Sequence, residues 1–326
     1  MIFNFITINL EHFIVGIILI SMINIYFKLA LKYDILDKPT IRSSHKIGTI
    51  RGGGIIFPIS VILWFILNNF LYLYFFMGIF IISIISFLDD VYNLKYYQRL
   101  WAQSISTLLL FYELSLFIFP LWLWLITFIF IIGWINAFNF MDGINGMSVF
   151  YSFISVLFFY FIPELKEFNY LIELLLISLV IFAFYNVRSN ALAFLGDVGS
   201  ISIAYILGYL MLSLILSTHQ WEYVLFFSIY GIDTVLTIIQ RLIQRENIFQ
   251  PHRKHLYQYL SNQSDWSHIQ VSILYTFLQV LINFSLVLFI IPSENSSIIS
   301  IVLLIIFSLV YIILKRYYYF DNKLVA

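Results

Sequence analysis

The sequence has 326 residues, of which 62% are hydrophobic, 20% aromatic and only 10% charged; that composition excludes an ordinary soluble domain and places the chain in a bilayer. A formal net charge of zero speaks against nucleic-acid binding. The absence of cysteine excludes disulfides, thiolate catalysis and cysteine metal sites, so any metal must sit on Asp, Glu, Asn or His.

A helix needs roughly 20 apolar residues to cross the hydrocarbon core. Segments of that kind lie near 10–31, 54–70, 71–88, 100–118, 119–137, 147–163, 170–186, 201–218, 221–240, 268–291 and 297–315. The first of them has no small-residue cleavage site, so no cleavable signal peptide is expected. The expected fold is an all-α polytopic membrane protein of about eleven transmembrane helices and a single domain, 1–326. Alternating the spans puts 16 of the 17 Lys and Arg residues on one side, Lys166 excepted, together with all nine aspartates, whereas Glu164, Glu167, Glu222 and Glu294 fall on the other. By the positive-inside rule the basic side is cytoplasmic, which sets the N-terminus outside and the C-terminus in the cytoplasm. The cytoplasmic loops then lie near 32–53, 89–99, 138–146, 187–200 and 241–267.

Taken in chain order, these loops hold the polar residues that bear on function. The first reads DKPTIRSSHKIGTIRGGG and carries Arg42, His45 and Arg51 ahead of three glycines. Guanidinium groups beside a glycine-rich helix entry suit phosphate, because bare backbone amides and a positive helix end face the anion; a basic anchor with glycines for close packing is the other reading. Next, FLDDVYN sets Asp89 beside Asp90 at a membrane boundary, where adjacent carboxylates require a cation or a proton. Magnesium, which binds through one or two carboxylates plus substrate phosphates, meets that need; a solvated helix end is the alternative.

The fifth span runs into NAFNFMDGINGMS, where Asn136, Asn139, Asp142 and Asn145 make a poor lipid-facing surface and a good hydrogen-bonding site for a nucleotide or sugar; asparagines that cap and glycines that turn the loop are the structural alternative. In FLGDVGS, Asp197 stands between two glycines as a metal ligand or a helix N-cap. Asp233 lies inside the ninth span, suited to orient a partner or close a buried hydrogen bond. The last long loop, QPHRKHLYQYL, offers His252, Arg253 and His255; two histidines without a third ligand are a weak zinc signal, and cations meeting a pyrophosphate fit better, with a basic patch on anionic lipid as the plain alternative. Carboxylates, cations and amides at one boundary are what metal-assisted phosphoryl transfer requires. A membrane transporter with an acidic ion site, the rival reading, is expected to carry its ionisable groups near mid-membrane.

In order and topology these motifs resemble the polyprenyl-phosphate N-acetylhexosamine-1-phosphate transferase superfamily, of the glycosyltransferase family 4 type, over residues 37 to about 260. The resemblance implies transfer of a sugar-1-phosphate from a UDP-N-acetylhexosamine to undecaprenyl phosphate with release of UMP, dependent on Mg2+ or Mn2+, in the bacterial inner membrane with the active site facing the cytoplasm. It implies catalytic roles for Asp89, Asp90, Asp142 and His255 and a metal site at Asp197 and Asp90. It also implies substrate contacts from Arg42, His45, Arg51, Asn136, Asn139, Asn145, His252 and Arg253, and a homodimer. Tyr257 and Gln258 stand where further histidines are common in the family, Asn145 replaces a common aspartate, and Asn93 follows the acidic pair where an acid or lysine sometimes stands. The HLYQ form resembles enzymes that load 6-deoxy-N-acetylhexosamines such as fucosamine or quinovosamine, with UDP-GlcNAc as the other donor. These features point to the branch that initiates O-antigen or common antigen rather than to the muramyl-pentapeptide branch.

Overall fold

The computed structural model describes residues 9–38, 48–247, 250, 252–264 and 266–324. Arg42 and His45 lie outside the described residues. The helices are α1 (Leu10–Lys32), α2 (Ile56–Leu67), α3 (Leu73–Tyr92), α4 (Tyr96–Glu113), α5 (Leu121–Met141), α6 (Met147–Tyr160), α7 (Asn169–Asn186), α8 (Gly196–Thr218), α9 (Ser228–Ile243), α10 (Leu256–Gln263), α11 (His268–Ser285) and α12 (Ser296–Leu324). A two-stranded antiparallel ribbon, β1 (Leu36–Asp37) and β2 (Thr49–Ile50), joins α1 to the entry of α2.

Among the described residues, eight helical segments are long and apolar enough to cross a membrane: Leu10–Lys32, Leu73–Tyr92, Leu121–Met141, Pro163–Asn186, Gly196–Thr218, Trp221–Ile243, His268–Ile290 and Ser296–Tyr318. The other three expected spans fall on Gly53–Leu67 and Met147–Tyr160, which are apolar but shorter, and on α4, whose 18 residues include Gln98, Arg99, Gln103 and Glu113. Helices also reach further into the polar loops than expected. The α3 helix runs to Tyr92, so Asp89 and Asp90 sit in its last turns, while α5 continues to Met141 and α10 forms inside the last loop.

The bundle is built around α8, in which every residue from Val198 to Leu212 is buried. A helix apolar all round is stable only when surrounded, and α8 packs against α3 and α5 with smaller contacts to α2 and α6. Small side chains set the close approaches, as is common between membrane helices. Ser202 and Ser83 share a hydroxyl hydrogen bond of 2.8 Å, Trp134 Nε1 donates to the Ala204 carbonyl at 2.8 Å, and a Cβ at Gly78 would come within 2.0 Å of the Tyr205 hydroxyl. By contrast α12 exposes Ile298, Ile301, Ile305, Leu309 and Ile313, a face suited to hydrocarbon. Polar contacts collect at the two ends of the bundle. One end is closed by glutamates, with His12 Nε2 at 2.7 Å from Glu173 and the Tyr170 hydroxyl donating to Glu11 at 2.7 Å; the other carries the aspartates.

Candidate active site

The first structural feature of the aspartate end is a junction of glycines. The Gly53 and Gly54 amides donate to the Phe194 and Leu195 carbonyls at 2.8 and 2.9 Å, and the Phe194 amide returns a bond to Ile50 at 2.8 Å. A Cβ on Gly54 would lie 2.3 Å from Gly199 Cα, and one on Gly196 would lie 2.7 Å from Gly52 Cα. Gly52 and Gly196 also hold φ values of 76° and 73°, the left-handed region that favours glycine. The RGGG and LGDVGS motifs are therefore two sides of one contact. This bears out the reading of the glycines as close-packing residues rather than as bare amides for phosphate, because the Gly53 and Gly54 amides are already bonded to the chain.

Asp90 locks the junction. Its Oδ1 accepts from Arg51 Nε at 2.8 Å and from the Asp197 amide at 2.9 Å, while Oδ2 accepts from the Val198 amide at 3.0 Å. A carboxylate from α3 thus caps the first turn of α8, where free amides and the positive helix end favour an anion. Asp197 does not act as the N-cap: it lies inside the first turn, and the cap position is taken by Leu195, which offers no side-chain bond. Asp89 accepts from the Leu94 amide at 2.6 Å and from Arg99 Nη1 at 3.0 Å, and the same nitrogen reaches Asp197 Oδ2 at 3.4 Å. Arg99, one third exposed on its side chain, is the cation that joins these carboxylates, and the sequence reading passed over it. The available signal was a basic residue opening the helix just after the acidic pair.

In the NAFNFMDGINGMS turn the polar residues divide by role. Asn139 Oδ1 accepts from Ser200 Oγ at 2.9 Å, tying α5 to α8. Asn145 Nδ2 donates to the Arg188 carbonyl at 2.8 Å, and Asn186 Oδ1 accepts from the Gly146 amide at 2.8 Å. These asparagines clamp the α5–α6 turn to the end of α7, with Gly146 at φ 82° opening α6. Asn136, expected to contact substrate, instead pairs with Gln103 of α4 through Nδ2 at 2.8 Å and also reaches the Ile132 carbonyl. It does not line the cavity described next.

A polar cavity of about 360 Å³ opens at this end; among its lining residues are Arg51, Asn139, Asp142, Asn145, Asn186, Asp197, Arg253 and Gln258. Asp89, Asp90, His252 and His255 are not in its wall: the first two stand behind Arg51 and Asp197, and the histidines behind Arg253 and Gln258. Burial pushes the Asp142 carboxyl up to about 8, far above the ordinary carboxylate range. His252 is pushed down to about 4 by burial, reinforced by the neighbouring His255 and by the charges of Arg241, Lys315 and Lys254.

Among the described residues no group of three or more His, Cys, Asp or Glu converges as a metal cage. Oxygen donors in the cavity lining come from Asp37, Asp142 and Asp197 and from the amides of Asn139, Asn145, Asn186, Gln258 and Asn262. That set fits a hard cation such as Mg2+, which takes one or two carboxylates and leaves its other positions to water and substrate phosphate. Asp90 fits it less well, because both of its oxygens already accept backbone or guanidinium protons.

Residues 72–215 match the model of glycosyl transferase family 4. The match covers 144 of the 326 residues, a little under half of the chain. The matched stretch carries Asp89, Asp90, Asp142 and Asp197, a shorter reach than the 37 to about 260 read from the motifs. A probable undecaprenyl-phosphate N-acetylglucosaminyl 1-phosphate transferase of Bacillus subtilis is 28% identical over 281 residues, covering 76% of each chain. An undecaprenyl-phosphate alpha-N-acetylglucosaminyl 1-phosphate transferase of Thermotoga maritima is 26% identical, covering 77% of this chain and 80% of its own length. A phospho-N-acetylmuramoyl-pentapeptide-transferase of Petrotoga mobilis is 31% identical over 201 residues, covering 52% of this chain and 62% of its own. The chain is thus similar to both kinds of transferase at comparable identity, and identity alone does not assign the branch.

Proposed function

We propose that the protein transfers N-acetylhexosamine-1-phosphate from a UDP-sugar to undecaprenyl phosphate, with the cavity facing the cytoplasm of a bacterial inner membrane, as the first step of a surface polysaccharide. The observation that carries this reading is the convergence, at one end of a membrane bundle, of two guanidinium groups, three aspartate carboxyls and five side-chain amides around one polar cavity. A lipid phosphate oxygen forms a bond to the sugar-bearing phosphorus, the bridging P–O bond breaks, and UMP leaves with the bridging oxygen. Arg51 and Arg253 meet the diphosphate, as guanidinium forks suit phosphate oxygens. Asp89 and Arg99 stand where the lipid phosphate enters from the bilayer side of α3 and α4, and Asp90 keeps Arg51 and the α8 end in place. Asp142, protonated at neutral pH, donates a hydrogen bond to the donor. Asp197 would hold Mg2+, which when bound would neutralise diphosphate charge. The branch that loads UDP-GlcNAc or a UDP-6-deoxy-N-acetylhexosamine is favoured by the HLYQ loop.

The experiment is UMP release by purified protein supplied with undecaprenyl phosphate, Mg2+ and a panel of UDP-N-acetylhexosamines. Lipid-dependent UMP from at least one donor, lowered about 100- to 1,000-fold in Asp197→Asn, is expected, since one preorganised electrostatic group is worth about that much. No lipid-dependent UMP from any donor, or full activity in Asp197→Asn, overturns the reading.

A further inference from the structure

Beside the polar cavity lies a second buried polar cluster, centred on Asp233 of α9. Asp233 is 1% exposed. Its Oδ1 accepts from His255 Nδ1 at 2.9 Å and from the Tyr311 hydroxyl at 2.8 Å, and its Oδ2 accepts from the Tyr275 hydroxyl at 2.7 Å. Thr237 lies 3.0 Å from the Tyr311 hydroxyl and accepts from Lys315 Nζ at 2.7 Å. One carboxylate therefore links α9, α11, the last loop and α12. That Lys315 is buried on a helix otherwise exposed to hydrocarbon is itself informative, since intramembrane cations sit where they have a partner and a task.

The geometry of His255 shows what the cluster is arranged around. The imidazole is 2% exposed, and its Nδ1 lies 2.9 Å from a carboxylate that already accepts two hydroxyl protons, an acceptor-only partner to which Nδ1 presents its hydrogen. Nε2 is buried and has no hydrogen-bond partner among the described residues. A histidine kept only for packing satisfies both ring nitrogens. The residues flanking this ring, Arg253 and Gln258, line the polar cavity, whereas Asp233, Tyr275 and Tyr311 line an apolar groove on the other side. His255 thus lies between residues of the two, one ring nitrogen fixed by Asp233 and the other buried without a partner among the described residues.

We propose that Asp233 is a positioning residue that fixes the tautomer and orientation of His255, presenting Nε2 toward the ligand of the polar cavity, and that α12 contributes to the reaction by holding Asp233 through Tyr311 and the Lys315–Thr237 pair. This inference rests on the transfer reading of the cavity. Its logic is that of any acid–base histidine whose tautomer is set by a buried carboxylate. Asp233 touches no substrate and acts only through His255.

The test combines spectroscopy and kinetics on the full-length protein in detergent. Histidine-selective 15N spectra, with His255→Gln assigning the signal, are expected to show the Nδ1-protonated tautomer in the native protein and its loss in Asp233→Asn. The same variant is expected to lower kcat about 100-fold, within the range of acid–base contributions. The KM for the UDP-sugar should stay within about threefold. Tyr311→Phe is expected to keep the tautomer and lower kcat about 10-fold. Should Asp233→Asn fail to accumulate, Asp233→Glu and Tyr311→Phe carry the test. An unchanged His255 tautomer in the Asp233 variant, or a native kcat in that variant or in Tyr311→Phe, overturns the inference, as does a fall in kcat that tracks thermal stability and KM together. A native protein that transfers no sugar from any donor overturns the transfer reading instead, and the tautomer signal then decides the role of Asp233 separately.

Discussion

Asp90 and Asp233 are both almost wholly buried aspartates at the same end of the bundle, and they are satisfied in different ways. Asp90 is held by two backbone amides at the start of α8 and one guanidinium. Asp233 is held mainly by side chains, an imidazole and two tyrosine hydroxyls contributed by other segments of the chain. Backbone donors fix a carboxylate as rigidly as the helix they belong to, and the Gly52–Gly196 contact leaves that helix no room to shift. Side-chain donors have rotamer freedom of their own, so the second node is adjustable. The first suits an architectural joint under a substrate cavity, the second the tuning of one imidazole.

The strongest way to break this comparison is to remove one partner from each node. Asp90→Ala strands Arg51 and two helix amides and should lower stability by about 3–5 kcal/mol, whereas Tyr311→Phe removes one of several donors to Asp233 and should cost about 1 kcal/mol. Thermal unfolding in detergent reads both, and equal losses would show that the two nodes are alike. A second effect concerns pH. Because the folded-state Asp142 carboxyl is raised from 3.8 to about 8, the folded state retains a proton in that interval which the unfolded chain has lost. Its contribution to stability is complete below about 4 and disappears as pH rises toward about 8. Unfolding measured in EDTA across that window should show a downward slope that is flatter in Asp142→Asn; an unchanged slope would place the proton elsewhere. The smallest effect should come from Asn136→Ala, which breaks the pairing with Gln103 at a cost of about 1 kcal/mol and leaves the KM for the nucleotide sugar unchanged. A raised KM would return Asn136 to the cavity.

Much of the site was legible because polar residues stand out in a chain this apolar. The acidic pair, the Asn/Asp turn after the fifth span and the glycine-flanked Asp197 all assemble at one end, and Asp233 closes buried hydrogen bonds as its place inside a span suggested. The errors have physical causes. Asn136 was read as a ligand because an amide in an apolar segment demands a partner, and its partner proved to be Gln103, 33 positions earlier. The glycines of RGGG signal close approach equally well to a phosphate and to another backbone, and only the position of Gly199 tells which. Arg99 has no periodic relation to Asp89, since a helix end, a turn and a helix start lie between them.

The sequence by itself determined the solvent, the helical class and the pool of groups available for chemistry, because burial in a bilayer forces backbone bonds to close within helices and makes each retained charge costly. Tertiary structure alone decided which of those groups face the cavity and which hold others in place. That division depends on contacts between residues 33, 39, 78 and 107 positions apart, distances over which no local pattern carries information.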